Sequence, residues 1–145
     1  MATNFGLFQS NKSGLFQNKQ TSITIPPSSW HKTQDSMTVD IKLNEASAVV
    51  NNATITTPVI LPHGVTVTSF IVYGGESTRT ATFQRVPINT NSQVTITQAT
   101  VNSVVNFNED IDNNTFTYGL IVSGMQSAET IQGTVITFTR GNEDT

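Results

Sequence analysis

The sequence predicts an all-β protein, an antiparallel β-sandwich of jelly-roll type with an extended N-terminal arm. Three observations support this fold class. Apolar and polar residues alternate along many short segments, Thr, Ser, Asn and Gln dominate the polar positions, and no window of helical length carries an apolar stripe. Short alternating segments separated by frequent turns are typical of sandwiches and barrels.

Length and composition restrict the chemistry that the chain can carry. Its 145 residues suit a single domain, and the absence of cysteine excludes disulfides, a thiolate nucleophile and a zinc–thiolate site. The sequence shows neither a secretory signal pattern nor an apolar window long enough to span a membrane. We therefore expect synthesis and release inside a cell.

An internal repeat opens the chain. The tetrapeptide Gly-Leu-Phe-Gln begins at Gly6 and recurs at Gly14, eight residues later. Each copy is too short to build a core and lacks a helical stripe, so we predict an anchoring arm that binds a neighbouring subunit or a scaffold. Alternatively, the arm folds back on its own domain as a strand or hairpin. The predicted arm contacts are Phe5, Leu7, Phe8, Lys12, Leu15, Phe16 and Lys19.

Charge and proline content place the boundary between arm and body. Residues 1–34 carry a formal charge of +3 and residues 35–145 a charge of −6, so a basic arm could dock on the acidic body of a neighbouring copy. Three lysines without arginine make a thin phosphate footprint, and nucleic acid is not an expected partner. Pro26 and Pro27 favour an extended linker. We predict an arm and linker over residues 1–34 and a sandwich over residues 35–145.

The strands of the body are predicted in order from alternation. Residues 37–43 place apolar side chains inward and polar ones outward, which makes them the first strand. Residues 53–60 form a later strand, in which Pro58 indicates an edge position or a bulge. The other strands are predicted at residues 48–50, 65–73, 78–86, 94–97, 104–107, 115–122 and 134–139.

The segment at residues 65–73 is the longest β-forming run and follows a Pro-His-Gly turn. Alternation assigns Val65, Val67, Ile71 and Tyr73 to one face, and Phe70 and Val72 to the other. We predict that the face with Phe70 and Val72 contributes to a homo-oligomer interface. The predicted core comprises Val39, Ile41, Val67, Ile71, Phe83, Phe116, Tyr118, Leu120, Ile136 and Phe138.

One acidic cluster could bind a metal ion. Asp110, Asp112 and Asn114 have the spacing that opens a helix-loop-helix calcium loop, but Thr115 replaces the required glycine and Ile121 the bidentate glutamate. That motif is excluded, which leaves a looser calcium site between strands or, as we expect, a solvated acidic turn.

No motif points to catalysis, and neither an enzyme activity nor a cofactor is expected. His31 and His63 have no second ligand in a recognisable pattern, and we expect His63 to lie exposed in a turn. The chain has no Gly-x-Ser-x-Gly elbow and no phosphate-binding glycine-rich loop. Trp30, Tyr73 and Tyr118 could stack on sugar rings, but both tyrosines fall within predicted strands and are expected in a core or interface.

Three stretches over about residues 53–139 carry a resemblance. They are Leu-Pro-His-Gly before a Val/Thr strand, Asp-Asn-Asn-Thr-Phe-Thr-Tyr from Asp112, and a closing Gly-Thr-Val-Ile-Thr-Phe strand from Gly133. This pattern resembles small β-sandwich proteins of bacteriophage virions and related bacterial surface proteins.

The resemblance implies a structural virion protein, such as a capsid decoration (cement) protein, without catalytic residues. Its implied partners are the major capsid protein or other virion subunits, its location is the virion assembled in the host cytoplasm, and analogy suggests a homotrimer. The alternatives are a carbohydrate- or receptor-binding module of a phage tail or cell-surface assembly and, third, a hydrolytic enzyme.

Overall fold

A computed structural model describes residues 20–34 and 37–140. These residues form one 3-10 turn and eleven strands, and none of their helical structure is long or apolar enough to cross a membrane. The elements are β1 (Gln20–Ile25), the 3-10 turn (Pro27–Ser29), β2 (His31–Lys32), β3 (Val39–Ile41), β4 (Ala46–Ala48), β5 (Ala53–Val59), β6 (Thr66–Gly74), β7 (Thr80–Pro87), β8 (Val94–Thr100), β9 (Val105–Asp110), β10 (Phe116–Met125) and β11 (Thr130–Thr139).

The strands form two antiparallel sheets that pack face to face. Sheet I has the order β9-β6-β11-β4-β3, and β1 also pairs with β11; sheet II has the order β2-β5-β10-β7-β8. The chain passes from sheet to sheet between β5, β6 and β7, and again between β9, β10 and β11. The set β4-β11-β6-β9 thereby faces the set β5-β10-β7-β8, which is the jelly-roll arrangement. The predicted fold class is confirmed.

Strand β6 lies inside sheet I and changes its inward face part-way along. Val67 and Phe70 are both buried although they are three positions apart, a spacing that would put them on opposite faces of a regular strand, and the register with β11 shifts between Thr137 and Phe138. A bulge of this kind reverses the alternation that follows it. Phe70 and Val72 are therefore only 1% exposed, inside the sandwich, and the prediction that they form an oligomer interface is wrong.

Most of the predicted core is confirmed. Val67, Phe83, Tyr118, Leu120, Ile136 and Phe138 are buried, and Val39, Ile41 and Phe116 pack against them with partial exposure. Ile71 is the exception, because the bulge in β6 turns it to the outer face of sheet I, where it is half-buried. Edge-to-face contacts join the two sheets through Phe70 and Phe83, whose ring centroids are 6.0 Å apart.

The sandwich already includes β1, so the predicted boundary at residue 34 is wrong. β1 pairs with β11 along its whole length, from Ile25 opposite Thr134 to Gln20 opposite Thr139. Pro26 and the 3-10 turn then carry the chain from sheet I to sheet II, and Trp30 behind them is 1% exposed. The two prolines make a crossing within the domain. The predicted arm contacts at residues 5–19 lie outside the described residues.

An ion pair links Arg79, the residue before β7, to the turn before β11. The Arg79 guanidinium donates to both carboxylate oxygens of Glu129, at 2.6 and 2.8 Å, and the Gln126 backbone N–H donates to the same carboxylate at 2.8 Å. The hydrogen bonds from Arg79 hold the pKa of Glu129 below its ordinary value, although partial burial opposes them. The pair fixes the turn that joins β10 to β11.

Candidate functional site

A groove crosses the solvent-facing side of sheet II and encloses about 290 Å³. Its floor is β10, and its walls come from β2 and β5 on one side and from β7 and the loop before β8 on the other. We call it the sheet II groove. Its outward-facing residues are His31, Thr56, Pro58, Gln84, Val86, Gln93, Thr117 and Gly119, with Thr57 and Tyr118 beneath them.

The register of three strands creates the depression. Gly119 pairs with Pro58 on one side and with Gln84 on the other, so these two side chains flank a position that has none. Neighbouring strands lie about 4.8 Å apart, which sets the two walls about 10 Å from each other. A Cβ at Gly119 would lie 3.1 Å from the Thr57 carbonyl oxygen, which is a tight contact. Glycine avoids this contact and leaves the floor of the groove without a side chain.

The lining offers uncharged hydrogen-bonding groups. The side chains of Gln84, Gln93 and Thr117 make no hydrogen bond within the described part of the chain, and an amide can both donate and accept. His31 uses Nδ1 on the Ser29 carbonyl at 3.2 Å, which leaves Nε2 for a ligand. None of the lining residues is Asp, Glu, Lys or Arg, so the groove suits a neutral, polar ligand.

Apolar surface lies at one end of the groove. We define the apolar end as Ile60, Ile88, Val94 and Phe116, of which Ile60 is 82% and Ile88 57% exposed. A recess of about 330 Å³ lies between Ile60 and Phe116 and shares Pro58 and Thr117 with the groove. A second recess, of about 260 Å³, lies beside Ile88. Isolated apolar residues on a surface are ordinary, but a cluster with recesses indicates a contact site.

Phe116 is held in place by a charged pair beneath it. The Arg85 guanidinium carbon lies 4.5 Å from the centre of the Phe116 ring, and Arg85 Nη1 donates to Glu109 Oε2 at 2.9 Å. Glu109 belongs to sheet I and Arg85 to sheet II, so the pair connects the sheets at this end. The apolar end therefore has a rigid base.

The histidines and aromatic residues that the sequence analysis named lie in different parts of the fold. His63 lies exposed in its turn, as predicted, and its Nδ1 accepts a hydrogen bond from the Asn113 backbone N–H at 3.1 Å. Trp30 is buried, and Tyr73, expected in a core or interface, is 44% exposed on sheet I. These aromatic residues do not form a common platform for a sugar ring. His31, in contrast, lines the groove, which its sequence context did not indicate.

Tyr118 has a structural role beneath the groove. Its hydroxyl accepts a hydrogen bond from the Asp112 backbone N–H at 2.8 Å, and burial raises its pKa above the ordinary value. This bond ties the turn after β9 to strand β10.

The acidic cluster is used for local hydrogen bonds. Asp110 accepts from the Thr66 hydroxyl at 2.7 Å, and Asp112 accepts from the Asn114 backbone N–H at 3.1 Å. Among the residues that the structure describes, no three His, Asp or Glu side chains are grouped to hold a metal ion. The contacts are those of a turn that caps itself.

Comparison with known proteins finds similarity at the level of structure. No protein-family model and no curated protein matches the chain. Among solved structures, the C-terminal CBM6 of LamC from Zobellia galactanivorans aligns with a TM-score of 0.45 and 12% identity over 81% of this chain and 99% of its own. A variant of the family 29 carbohydrate-binding module CBM29-2 aligns with a TM-score of 0.45 and 9% identity over 86% of this chain and 94% of its own.

A third solved structure, the Podospora anserina GH26-CBM35 β-(1,4)-mannanase, aligns with a TM-score of 0.45 and 10% identity over 85% of this chain and 29% of its own. At these scores the likeness carries no argument about a ligand or an activity of this chain.

Proposed function

We propose that the protein is a non-catalytic binding module that holds a neutral carbohydrate, free or displayed on a receptor, in the sheet II groove. The observation that carries the proposal is the pair Pro58 and Gln84 facing each other across the bare Gly119, with the unpaired side chains of Gln93 and Thr117 in the same lining. The width and the chemistry of the groove both suit a sugar ring.

Carbohydrates present hydroxyl groups at the edges of a ring and C–H groups on its faces. The amides of Gln84 and Gln93 can each donate to one hydroxyl and accept from another, while Pro58 and Val86 offer apolar contacts to the ring. The outward-facing residues of the lining include no Phe, Tyr or Trp, and the groove is shallow. We therefore expect dissociation constants of about 0.1–10 mM for single chains of a few sugars.

The lining also supports binding over hydrolysis. Most glycoside hydrolases use a pair of carboxylates separated by about 5–9.5 Å on either side of the scissile bond. The lining residues of the groove include no carboxylate. A ligand held there would meet uncharged hydrogen-bonding groups and apolar side chains, and no carboxylate.

A glycan array, run with and without calcium, is the first test, followed by NMR titration of the best neutral ligand. Replacing Gln84 and Gln93 together by Ala should weaken binding about tenfold or more, since each lost hydrogen bond contributes about 0.5–1.5 kcal/mol. The control is Gln132→Ala, an exposed glutamine on sheet I. Failure of every neutral glycan to bind, or equal weakening by the control, would contradict the proposal.

A place for this module in a larger assembly remains a proposal as well. We propose a phage tail or a cell-surface assembly, and the predicted capsid decoration role, with its major capsid protein partner, virion location and trimeric state, stays a prediction. Electron microscopy of the native particle that contains this chain would show its position and its copy number.

A further inference from the structure

The apolar end lies at the same end of the sandwich as the start of β1. Gln20 is opposite Thr139, which pairs in turn with Thr66 at the start of β6. A short loop joins the end of β5 to this point, and Ile60 is its first residue. Gln20, the first residue that the structure describes, therefore lies beside the apolar end.

β1 and β5 also lie on the same side of the sandwich. Strand β1 flanks β11 on the side away from β6, and β5 flanks β10 on the side away from β7. Because Phe70 of β6 contacts Phe83 of β7, the two sheets are aligned in this order. Packed sheets are about 10 Å apart, so Gln20 stands roughly one sheet spacing from Ile60.

The second copy of the repeat fits this distance. Phe16 precedes Gln20 by four residues, and an extended chain advances about 3.3 Å per residue, which gives a reach of about 13 Å. The first copy lies eight residues further away and could extend about 26 Å beyond the second. The reach thus selects Leu15 and Phe16 for contact with the apolar end of their own chain.

We propose that Leu15 and Phe16 dock on the apolar end of the same chain and fill the recess between Ile60 and Phe116. Residues 1–19 contain Lys12 and Lys19 and no acidic residue, whereas Asp110 and Asp112 lie at this end of the sandwich. Opposite charges then favour the docked position. A tethered segment meets its own recess at an effective concentration in the millimolar range, well above that of a second copy in dilute solution.

Docking has one consequence that does not depend on the proposed carbohydrate site. The exposed side chains of the apolar end become covered. Leu7 and Phe8 remain the candidates for the predicted contact with a partner.

The absence of native cysteine permits a direct test by cross-linking. We would place cysteines at Gln17→Cys and Thr117→Cys and follow intramolecular disulfide formation in dilute protein in a glutathione buffer. The pair is compared in three backgrounds, which are the native arm, Leu15→Ser with Phe16→Ser, and the matched control Leu7→Ser with Phe8→Ser. Circular dichroism verifies that each variant keeps the sandwich.

We expect the Leu15 and Phe16 substitutions to slow cross-linking about tenfold, and the Leu7 and Phe8 substitutions to leave it unchanged. Ile60→Ser, on an exposed side chain of the sandwich, should slow it as well. Equal rates in all backgrounds would show that the arm does not dock there. Disulfide-linked dimers as the main product would assign the recess to a second copy and overturn the proposal. Glycan binding is measured separately, so failure of one proposal does not decide the other.

Discussion

Substitution of Gly74 by Ala should destabilise the sandwich at the end of β6. A Cβ at this position would lie 2.6 Å from the Thr130 carbonyl oxygen and 3.0 Å from a methyl group of Val101. Carbon and oxygen atoms that are not bonded need more than 3 Å, so the backbone must move by several tenths of an ångström. The atom in the way is backbone oxygen on β11, which cannot rotate aside.

The movement would also disturb two hydrogen bonds. The Gly74 N–H donates to Asn102 Oδ1 at 3.0 Å, and Asn102 Nδ2 donates to the Gly74 carbonyl at 2.9 Å. Overpacking in a well-packed region costs about 1–3 kcal/mol, and weakening these bonds adds about 1 kcal/mol. We therefore expect Gly74→Ala to lower the free energy of unfolding by about 2–4 kcal/mol.

Gly133→Ala is the matched control. Gly133 lies in β11, and a Cβ there would meet no atom within 4 Å. Because alanine restricts the unfolded chain, this substitution should be neutral or stabilising by about 0.4–1 kcal/mol.

Urea unfolding followed by the fluorescence of the single, buried Trp30 would measure both changes. A Gly74→Ala protein within 0.5 kcal/mol of the wild type, on the scale of ordinary surface substitutions, would refute the steric argument. Equal destabilisation by Gly133→Ala would refute it too.

Two further predictions concern groups whose pKa differs between the folded and unfolded states. Tyr118→Phe removes the acceptor for the Asp112 N–H and should lower the free energy of unfolding by about 0.5–1.5 kcal/mol near neutral pH. Because the folded pKa of Tyr118 is raised, the contribution of its neutral hydroxyl to stability is present below pH 10 and lost above it. Calorimetry should therefore show that the stability of the variant declines less in alkali than that of the wild type. Glu129→Gln breaks the ion pair with Arg79. Because the folded pKa of Glu129 is lowered, the contribution of its carboxylate to the free energy of unfolding is present above the ordinary pKa of 4.5 and is lost as the pH falls through the folded pKa. The melting temperature of this variant should lie below that of the wild type at pH 7, and the gap should close in acid, whereas a constant gap would contradict the linkage.

The sequence by itself determined the class of fold and most of the core. Burial of one side of a strand imposes a two-residue period, which is local and visible in segments such as residues 115–122 and 134–139. The same period identified Phe83, Leu120 and Ile136 as buried. The turn at Pro62 and Gly64 was also local, because Gly64 adopts a φ of +89° that other residues avoid.

The tertiary structure decided the positions that local alternation assigns wrongly. The bulge in β6 depends on how β6 pairs with β11 and β9, and only that pairing shows that Phe70 and Val72 are interior. The place of β1 in sheet I has the same origin, since its partner strand lies more than one hundred residues later in the chain. Prolines that resemble a linker in the sequence are in fact the crossing between two sheets.

The candidate site could not be predicted for a related physical reason. His31, Pro58, Gln84 and Gly119 become neighbours only when three strands adopt a particular register, and each is unremarkable in its own segment. Outward-facing polar residues occur on both sheets, and alternation does not indicate which of them line a groove. The sequence therefore specified which side chains face the solvent, and the packing of distant strands specified which of them meet.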